Sequence, residues 1–250
     1  MALLRQEIIS IAEVWFDEEL QDTSCVDLVY YLQRTNPIET FECQEFYTIL
    51  IDLTKSEDEL WKKIERNNRY KIRQASQKDK VIYQFWDCDR VDAKLVNEFS
   101  DTYDSFALEK GLSKLKRTRL LQYAEASILN ISAVKLPDNR PLVWHVYYRG
   151  KNRVRLLHSA SLKKNSEVSP QIIGRANRYL HWQDILNFQN LGMTAYDLGG
   201  WYAGNTDQER LNINKFKEEF GGDIVKNFNQ SYATTMKGKL YLLARKMKGL

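Results

Sequence analysis

The sequence predicts an α/β fold: a mixed, mostly antiparallel sheet flanked by helices. Three observations carry that expectation. Stretches with the two-residue period of strands alternate along the chain with stretches of helical period. In the middle, strand-like residues 131–136, 141–149 and 153–161 are separated only by Pro137-Asp138-Asn139-Arg140 and Gly150-Lys151-Asn152, the turn chemistry of antiparallel hairpins. Hydrophobic residues make up 43% of the 250, enough to bury a core, and charged residues 28%, an ordinary globular share.

The elements follow in order. Residues 5–20 read as a short amphipathic helix. Residues 25–32 and 46–53 alternate as strands, the second nearly all apolar and therefore central. Ser56-Glu57-Asp58-Glu59 is a capping box, with Glu59 reaching back to the cap. Leu60, Trp61, Ile64, Asn68, Ile72 and Ala75 fall near one face and carry the helix to about Ser76, with a bend at Asn67-Asn68. A strand at 81–85 precedes helices at 91–108 and 113–129, joined at Gly111. After the three-stranded meander, a polar loop over 162–169 leads to Pro170, a good first-turn residue for a helix to Asn190. A strand at 193–197, a helix at 207–220, strands at 223–228 and near 231–235, and a helical, basic end at 240–247 complete the chain. No repeat, low-complexity tract or linker interrupts it. The expectation is one domain over 1–250 with an N-terminal elaboration, about 1–45.

Composition narrows the class. No apolar run reaches the length of a membrane span, and Arg5, Glu7 and Glu13 break the N-terminal stretch in a way a signal peptide would not tolerate. Cys25, Cys43 and Cys88 lack metal-ligand spacing, and their odd number speaks against a disulfide framework, so no metal and a reducing, cytoplasmic setting are expected. A net charge of +4 does not call for nucleic acid as a partner. Six Trp and fourteen Tyr supply side chains that line pockets for flat or sugar-like ligands as readily as they fill a core.

Four constellations can carry chemistry. Gln171, Ile172, Ile173, Gly174, Arg175 and Ala176 stand at a helix start, where free backbone N–H groups bind phosphate and small residues let a ligand approach. The pattern resembles the Q/R-x-x-G-x-G/A loop with which GNAT acyltransferases hold the pyrophosphate of coenzyme A. His145 and His158 lie in neighbouring strands. An imidazole there can take the proton that an attacking amine loses, or can serve as a core residue bonded to a carbonyl. Whether the two share a face depends on the intervening turn. The basic run 62–80 contains Asn68, Arg69, Lys71 and Arg73, whose forked and amide hydrogen bonds suit a diphosphate, although such a run is also an ordinary solvated helix face. Finally, Asp197-Leu198-Gly199-Gly200-Trp201-Tyr202 places a carboxylate, two aromatic rings and flexible backbone at a strand's C-terminal end, where α/β folds usually bind ligands. There Asp197 can orient an amine or cap a turn, and Tyr202 can donate a proton to a leaving thiolate or pack the loop.

Three stretches resemble the FemAB-like branch of the GNAT superfamily. They are Glu59-Leu60-Trp61-Lys62-Lys63-Ile64 through Asn68-Arg69-Tyr70-Lys71-Ile72-Arg73-Gln74-Ala75; Asn177-Arg178-Tyr179-Leu180-His181-Trp182; and Asp197-Leu198-Gly199-Gly200 with Asn214-Lys215-Phe216-Lys217 and Phe220-Gly221-Gly222. They span roughly residues 55–225, and the joint match is more specific than any one of them. The resemblance implies a GNAT core and transfer of an acyl group to an amine. A chain too short for two complete units of usual size looks more like an acyl-CoA enzyme than a two-unit aminoacyl-tRNA-dependent transferase of the peptidoglycan bridge. Compact relatives imply a nucleotide-linked amino sugar of O-antigen or capsule synthesis as acceptor. Acyl-CoA would then be a co-substrate rather than a permanently bound cofactor, and a homodimer would be compatible. Direct attack on the thioester is implied, with His145, Asp197 and Tyr202 as catalytic candidates. Backbone N–H groups near Ser159 and Ser161 on the splayed central strand would hold the co-substrate's thioester and stabilise the oxyanion, and Asn68, Arg69, Lys71, Arg73, His158 and Trp201 would surround the acceptor. A non-catalytic module binding nucleic acid or a protein partner is the alternative of another class.

Overall fold

The computed structural model describes residues 2–5, 9–20, 22–39, 42–162 and 167–247. Along the chain run β1 (Ala2–Arg5), β2 (Ser10–Trp15), β3 (Leu28–Arg34), β4 (Cys43–Asp52), α1 (Glu57–Lys63), α2 (Arg66–Gln77), β5 (Ile82–Trp86), α3 (Ala93–Lys110), α4 (Arg117–Glu125), β6 (Leu129–Lys135), β7 (Pro141–Arg149), β8 (Arg153–Ser161), α5 (Pro170–Asn190), β9 (Ala195–Gly200), α6 (Gln208–Glu218), β10 (Asp223–Ala233) and α7 (Met236–Met247). They group into two compact units, residues 1–48 with 225–250, and residues 49–224.

In the first unit β2 pairs antiparallel with β1 and parallel with β3, and β3 pairs antiparallel with β10. Strands therefore replace the helix expected over 5–20, of which residues 6–8 lie outside the described part. Ile9, Ile11, Ala12, Val14, Trp15 and even Glu13 are all buried. A segment covered on every side suits an inner strand, whereas an amphipathic helix needs a solvent face. Asp27 ties the unit together, accepting from Ser10 N (3.1 Å) and Thr235 Oγ1 (2.9 Å), and these bonds hold its carboxyl down at about 2.

In the second unit the strand order is β4-β9-β8-β7-β6-β5. Strands β5 to β8 form an antiparallel meander, and β9 joins it parallel to β8. The helix expected to run from 56 to 76 is two helices, because Ile64 leaves helical geometry at ψ 134° and Glu65 at ψ 144°. The capping box on α1 is present as read, and the helix 170–190 begins and ends where Pro170 and Asn190 placed it. Residues 163–166 of the polar loop before it lie outside the described part. One core cluster packs Ile49, Ile51, Leu60, Ile64, Tyr147, Trp182, Phe188 and Tyr196; a second packs Val134, Val143, Ala176 and Leu180.

The β7–β8 register decides which face each histidine takes. His145 pairs with Ser159 and Val146 with His158, with a bulge at Leu157. Paired residues share a face and adjacent ones alternate, so His145 and His158 point to opposite faces of the sheet. His145 points toward α5, and His158 lies edge-on to Tyr103 of α3, with ring centroids 5.2 Å apart.

Candidate active site

On the α5 face the polar groups form a closed network. Asp184, fully buried, accepts from Tyr83 hydroxyl (2.9 Å), Ser132 Oγ (2.9 Å) and Tyr147 hydroxyl (2.6 Å), and lies 3.0 Å from His145 Nδ1. Tyr147 and Tyr196 hydroxyls are 2.7 Å apart, and Tyr196 hydroxyl is 2.8 Å from His181 Nδ1. Burial and the neighbouring His145 push His181 well below the usual imidazole range, and burial with the Asp184 charge pushes the Tyr147 phenol up. His145 is wholly inaccessible, and its Nε2 is 2.9 Å from Asn177 Oδ1. In this position its ring reaches a ligand only through Asn177.

Asn177 does face a cavity. A cleft of about 230 Å³ is bounded by Ser161 and Leu162 at the end of β8, Pro170, Ile173, Gly174 and Asn177 at the start of α5, and Phe106, Glu109 and Lys110 of α3. The segment 171–176 is therefore helix rather than loop, and it divides. Ile173 and Gly174 line the cleft. Ala176 is core, and Ile172 packs against the same cluster. Arg175 forks onto Asp79 (Nε–Oδ2 2.6 Å, Nη2–Oδ1 2.7 Å), away from the cleft lining. The helix start is also capped: Gln171 N donates to Ser169 Oγ, and Ile172 N and Ile173 N to the Ser169 carbonyl. Pro170 offers no N–H. A phosphate here would have to displace the cap.

The fork between β8 and β9 is the second feature. The strands pair over Arg153–Arg155 and Ala195–Asp197. Beyond it the chain turns at Gly199, φ 78°, where an added Cβ would stand 3.1 Å from the Leu156 carbonyl oxygen; only glycine fits that approach. Asp197, fully buried, holds Arg153 (Nη2–Oδ2 2.5 Å) with one oxygen and the Gly199 amide (2.7 Å) with the other. Its carboxylate thus shapes the turn. Asn214 clamps the chain three residues further on, accepting from Tyr202 N (2.9 Å) and donating to Tyr202 O (2.7 Å). Trp201 donates to Glu218 (2.7 Å), and Tyr202 hydroxyl lies 3.2 Å from Thr206 Oγ1.

Lys217, which no reading of single motifs had assigned a role, sends its ammonium to this fork and donates to the Gly200 carbonyl (2.5 Å). Burial lowers its pKa to about 8, opposed by Asp197 and assisted by Arg155. The signal was present in the Phe216-Lys217 step four residues before Gly221, but its direction depends on α6 packing beneath the elbow.

The basic run does not assemble at either place. Asn68 is buried and donates to the Glu219 carbonyl (3.2 Å). Arg69 donates to the carbonyls of Trp61 and Lys62, closing the end of α1. Arg73 lies over the Trp61 ring at 5.2 Å, and Lys71 is half-buried on α2. These residues join α1, α2 and the Phe220-Gly221-Gly222 turn. Gly221, φ 77°, would place a Cβ 2.5 Å from the Lys63 carbonyl oxygen.

Among the described residues there is no group of His, Cys, Asp and Glu that could hold a metal, and no helix long and apolar enough to cross a membrane.

No protein-family model matches the sequence, and no curated protein matches it either. Solved structures do resemble it. FemX superposes with a TM-score of 0.61 at 16% identity, over 79% of this chain and 63% of its own. L-PGS from Bacillus licheniformis gives 0.53 at 13%, over 87% and 72%. The C-terminal domain of a putative lysylphosphatidylglycerol synthetase from Agrobacterium fabrum gives 0.53 at 11%, over 96% and 83%. The fold is therefore a mixed α/β fold like that of FemX, and the chain spans less than two thirds of the length of FemX.

Proposed function

We propose that the protein transfers an acyl group from an activated ester to an amine, with the reacting carbonyl at the β8–β9 fork. The observation that carries this reading is the half-buried Lys217 ammonium fixed on the Gly200 carbonyl at that fork, its pKa lowered to about 8 by partial desolvation. Such a fixed cation stabilises the oxyanion that develops when an amine attacks a carbonyl, and does so more strongly where water is excluded. In the step, the amine nitrogen bonds to the carbonyl carbon and the carbon–sulfur or carbon–oxygen bond to the donor breaks. The amine proton passes to the departing group, for which Tyr202 is the donor to test. His145, sealed in the Asp184 network and bonded to Asn177, takes no part in the step.

Coenzyme A thioesters are the donor implied by the motif at 171–176, and the cleft beside Gly174 supports that reading. The capped start of α5 favours a second donor, an aminoacyl ester on tRNA, whose chemistry needs no pyrophosphate cradle at that point. The proposed acceptor is the nucleotide-linked amino sugar that the motif resemblance implies. Purified protein incubated with acyl-CoAs or with aminoacyl-tRNA, each with amine acceptors, separates the donors. Thiol release dependent on acceptor supports the first, and deacylation of tRNA dependent on acceptor supports the second. Neither, with folded protein and a panel that includes nucleotide-linked amino sugars, would overturn the transfer reading.

A further inference from the structure

The second unit holds a cavity that no motif pointed to. It is a hollow of about 240 Å³ between α3, α4 and β8, with Tyr103, Lys114, Lys116, Arg119, Tyr123 and His158 on its walls and no acidic residue among them. Helix α4 begins at its edge. Its first residue follows Lys116, which provides no side-chain cap, and its first turn contains no acid; Asp101 and Asp104 of α3 pair with Arg117 there, and Asp104 accepts from Leu115 N (3.1 Å), neither aspartate lying on the cavity wall. Arg119 is held in place by Tyr123: its Nε donates to the hydroxyl (2.9 Å) and its guanidinium lies 5.4 Å from the ring centroid. His158 on the floor is pushed down to about 4, first by burial and then by the charges of Arg155 and Arg119. Leu157, also on the wall, follows the residue whose carbonyl approaches Gly199 at the fork.

We propose that this hollow is an anion subsite that holds a phosphate group of the amine acceptor, with Lys114, Lys116 and Arg119 as its ligands. The proposal rests on the acyl-transfer reading for the identity of the ligand's remainder. Three cations on one wall suit a multiply charged oxyanion better than a single carboxylate. The test has a readout apart from transfer. The His158 imidazole is titrated by NMR with and without inorganic phosphate, its signal identified by His158→Gln. Phosphate is expected to raise the His158 pKa, and Arg119→Gln with Lys116→Gln to abolish the response. In transfer assays Arg119→Gln is expected to raise KM for a phosphorylated acceptor at least tenfold with kcat little changed. An unresponsive His158 in the folded wild-type protein overturns the subsite even if transfer is found. A phosphate response without transfer from any donor leaves the subsite standing and overturns the transfer reading.

A different observation, in the first unit, carries a second inference. Met236, Leu240, Leu243 and Met247 recur at helical spacing along α7 and are 70%, 63%, 57% and 81% exposed. They form one uncovered apolar stripe. The opposite side is docked: Gly238 is buried against the Asp27 carbonyl, and Arg245 donates to Tyr30 hydroxyl (2.6 Å). Lys237 flanks the stripe on one side, where it pairs with Asp27 (3.2 Å), and Lys239 and Lys246 flank it on the other, Lys246 pairing with the exposed Glu42 (3.3 Å); α7 itself contains no acid. Like charge along the whole helix opposes packing against a second copy of itself. We infer that α7 lies on an anionic lipid surface, the stripe entering the acyl boundary and the lysines meeting the headgroups. Vesicles of phosphatidylglycerol should pull down the full chain, vesicles of phosphatidylcholine should not, and Leu240→Glu should cut binding at least tenfold with the circular dichroism unchanged. Absence of binding to phosphatidylglycerol, or a concentration-dependent dimer that Leu240→Glu abolishes, would overturn it.

Discussion

The two faces of the β7–β8 hairpin differ in what their polar residues do. On one, His145, Tyr147, Asp184, Tyr196 and His181 satisfy one another in a sealed network. On the other side and at the fork, a lysine, glycines and a ring of basic residues border open space. The residue types most often drafted for catalysis are spent on the closed side, where a satisfied buried network rigidifies the core. The open side owes its chemistry to placement: a single ammonium at a strand fork and three cations on one cavity wall. Residue type alone therefore points to the wrong half of this hairpin, and register points to the right one.

That contrast can be broken by substitution. Asp184→Ala strands its buried donors, so it should cost about 3–5 kcal/mol of stability in urea denaturation. Transfer by the fraction still folded should change little. Lys217→Met should behave in the opposite way, lowering the transfer rate by about 10²–10³ without loss of stability, since a half-buried ammonium is exchanged for an apolar chain of similar length. Its pH dependence sharpens the point. With the folded pKa lowered from 10.5 to about 8, transfer should fall as pH rises through about 8 and the ammonium deprotonates. Stability moves the other way: between about 8 and 10.5 the unfolded chain binds the extra proton, so the penalty of desolvating Lys217 is full below 8 and fades as pH rises through that window. A wild-type rate that is flat from pH 7 to 10 would remove Lys217 from the mechanism.

Smaller effects mark the scaffold. Gly221→Ala meets both a positive φ and the Lys63 carbonyl, and should cost about 1–3 kcal/mol, read as a lower denaturation midpoint. Arg73→Ala removes a guanidinium from the Trp61 face, and should cost no more than about 1 kcal/mol while leaving KM for a nucleotide-linked acceptor unchanged. A large rise in KM would restore the basic run to the acceptor site.

Much of the fold was legible because local signals were strong. The Ser56 capping box, the Pro170 start and the two hairpin turns each fix a backbone geometry through a nearby side chain. The N-terminal strands were not, because burial on both faces erases the period that tells strand from helix. The site was legible in outline. Asp197-Leu198-Gly199-Gly200 marked the fork, yet what Asp197 does there depends on Arg153, 44 residues away in sequence. Likewise Arg175 looked available until Asp79 met it across 96 residues, and His145 looked reactive until Asp184 closed around it. Long-range partners of this kind leave no periodic trace.

The most direct test compares two variants in one assay, with transfer rate and thermal midpoint measured for Lys217→Met and His145→Gln. The account predicts a rate reduced at least a hundredfold at an undiminished midpoint for Lys217→Met, and a lowered midpoint with the folded enzyme's rate nearly intact for His145→Gln. The reverse pattern would contradict it, placing the chemistry in the sealed network instead of at the fork.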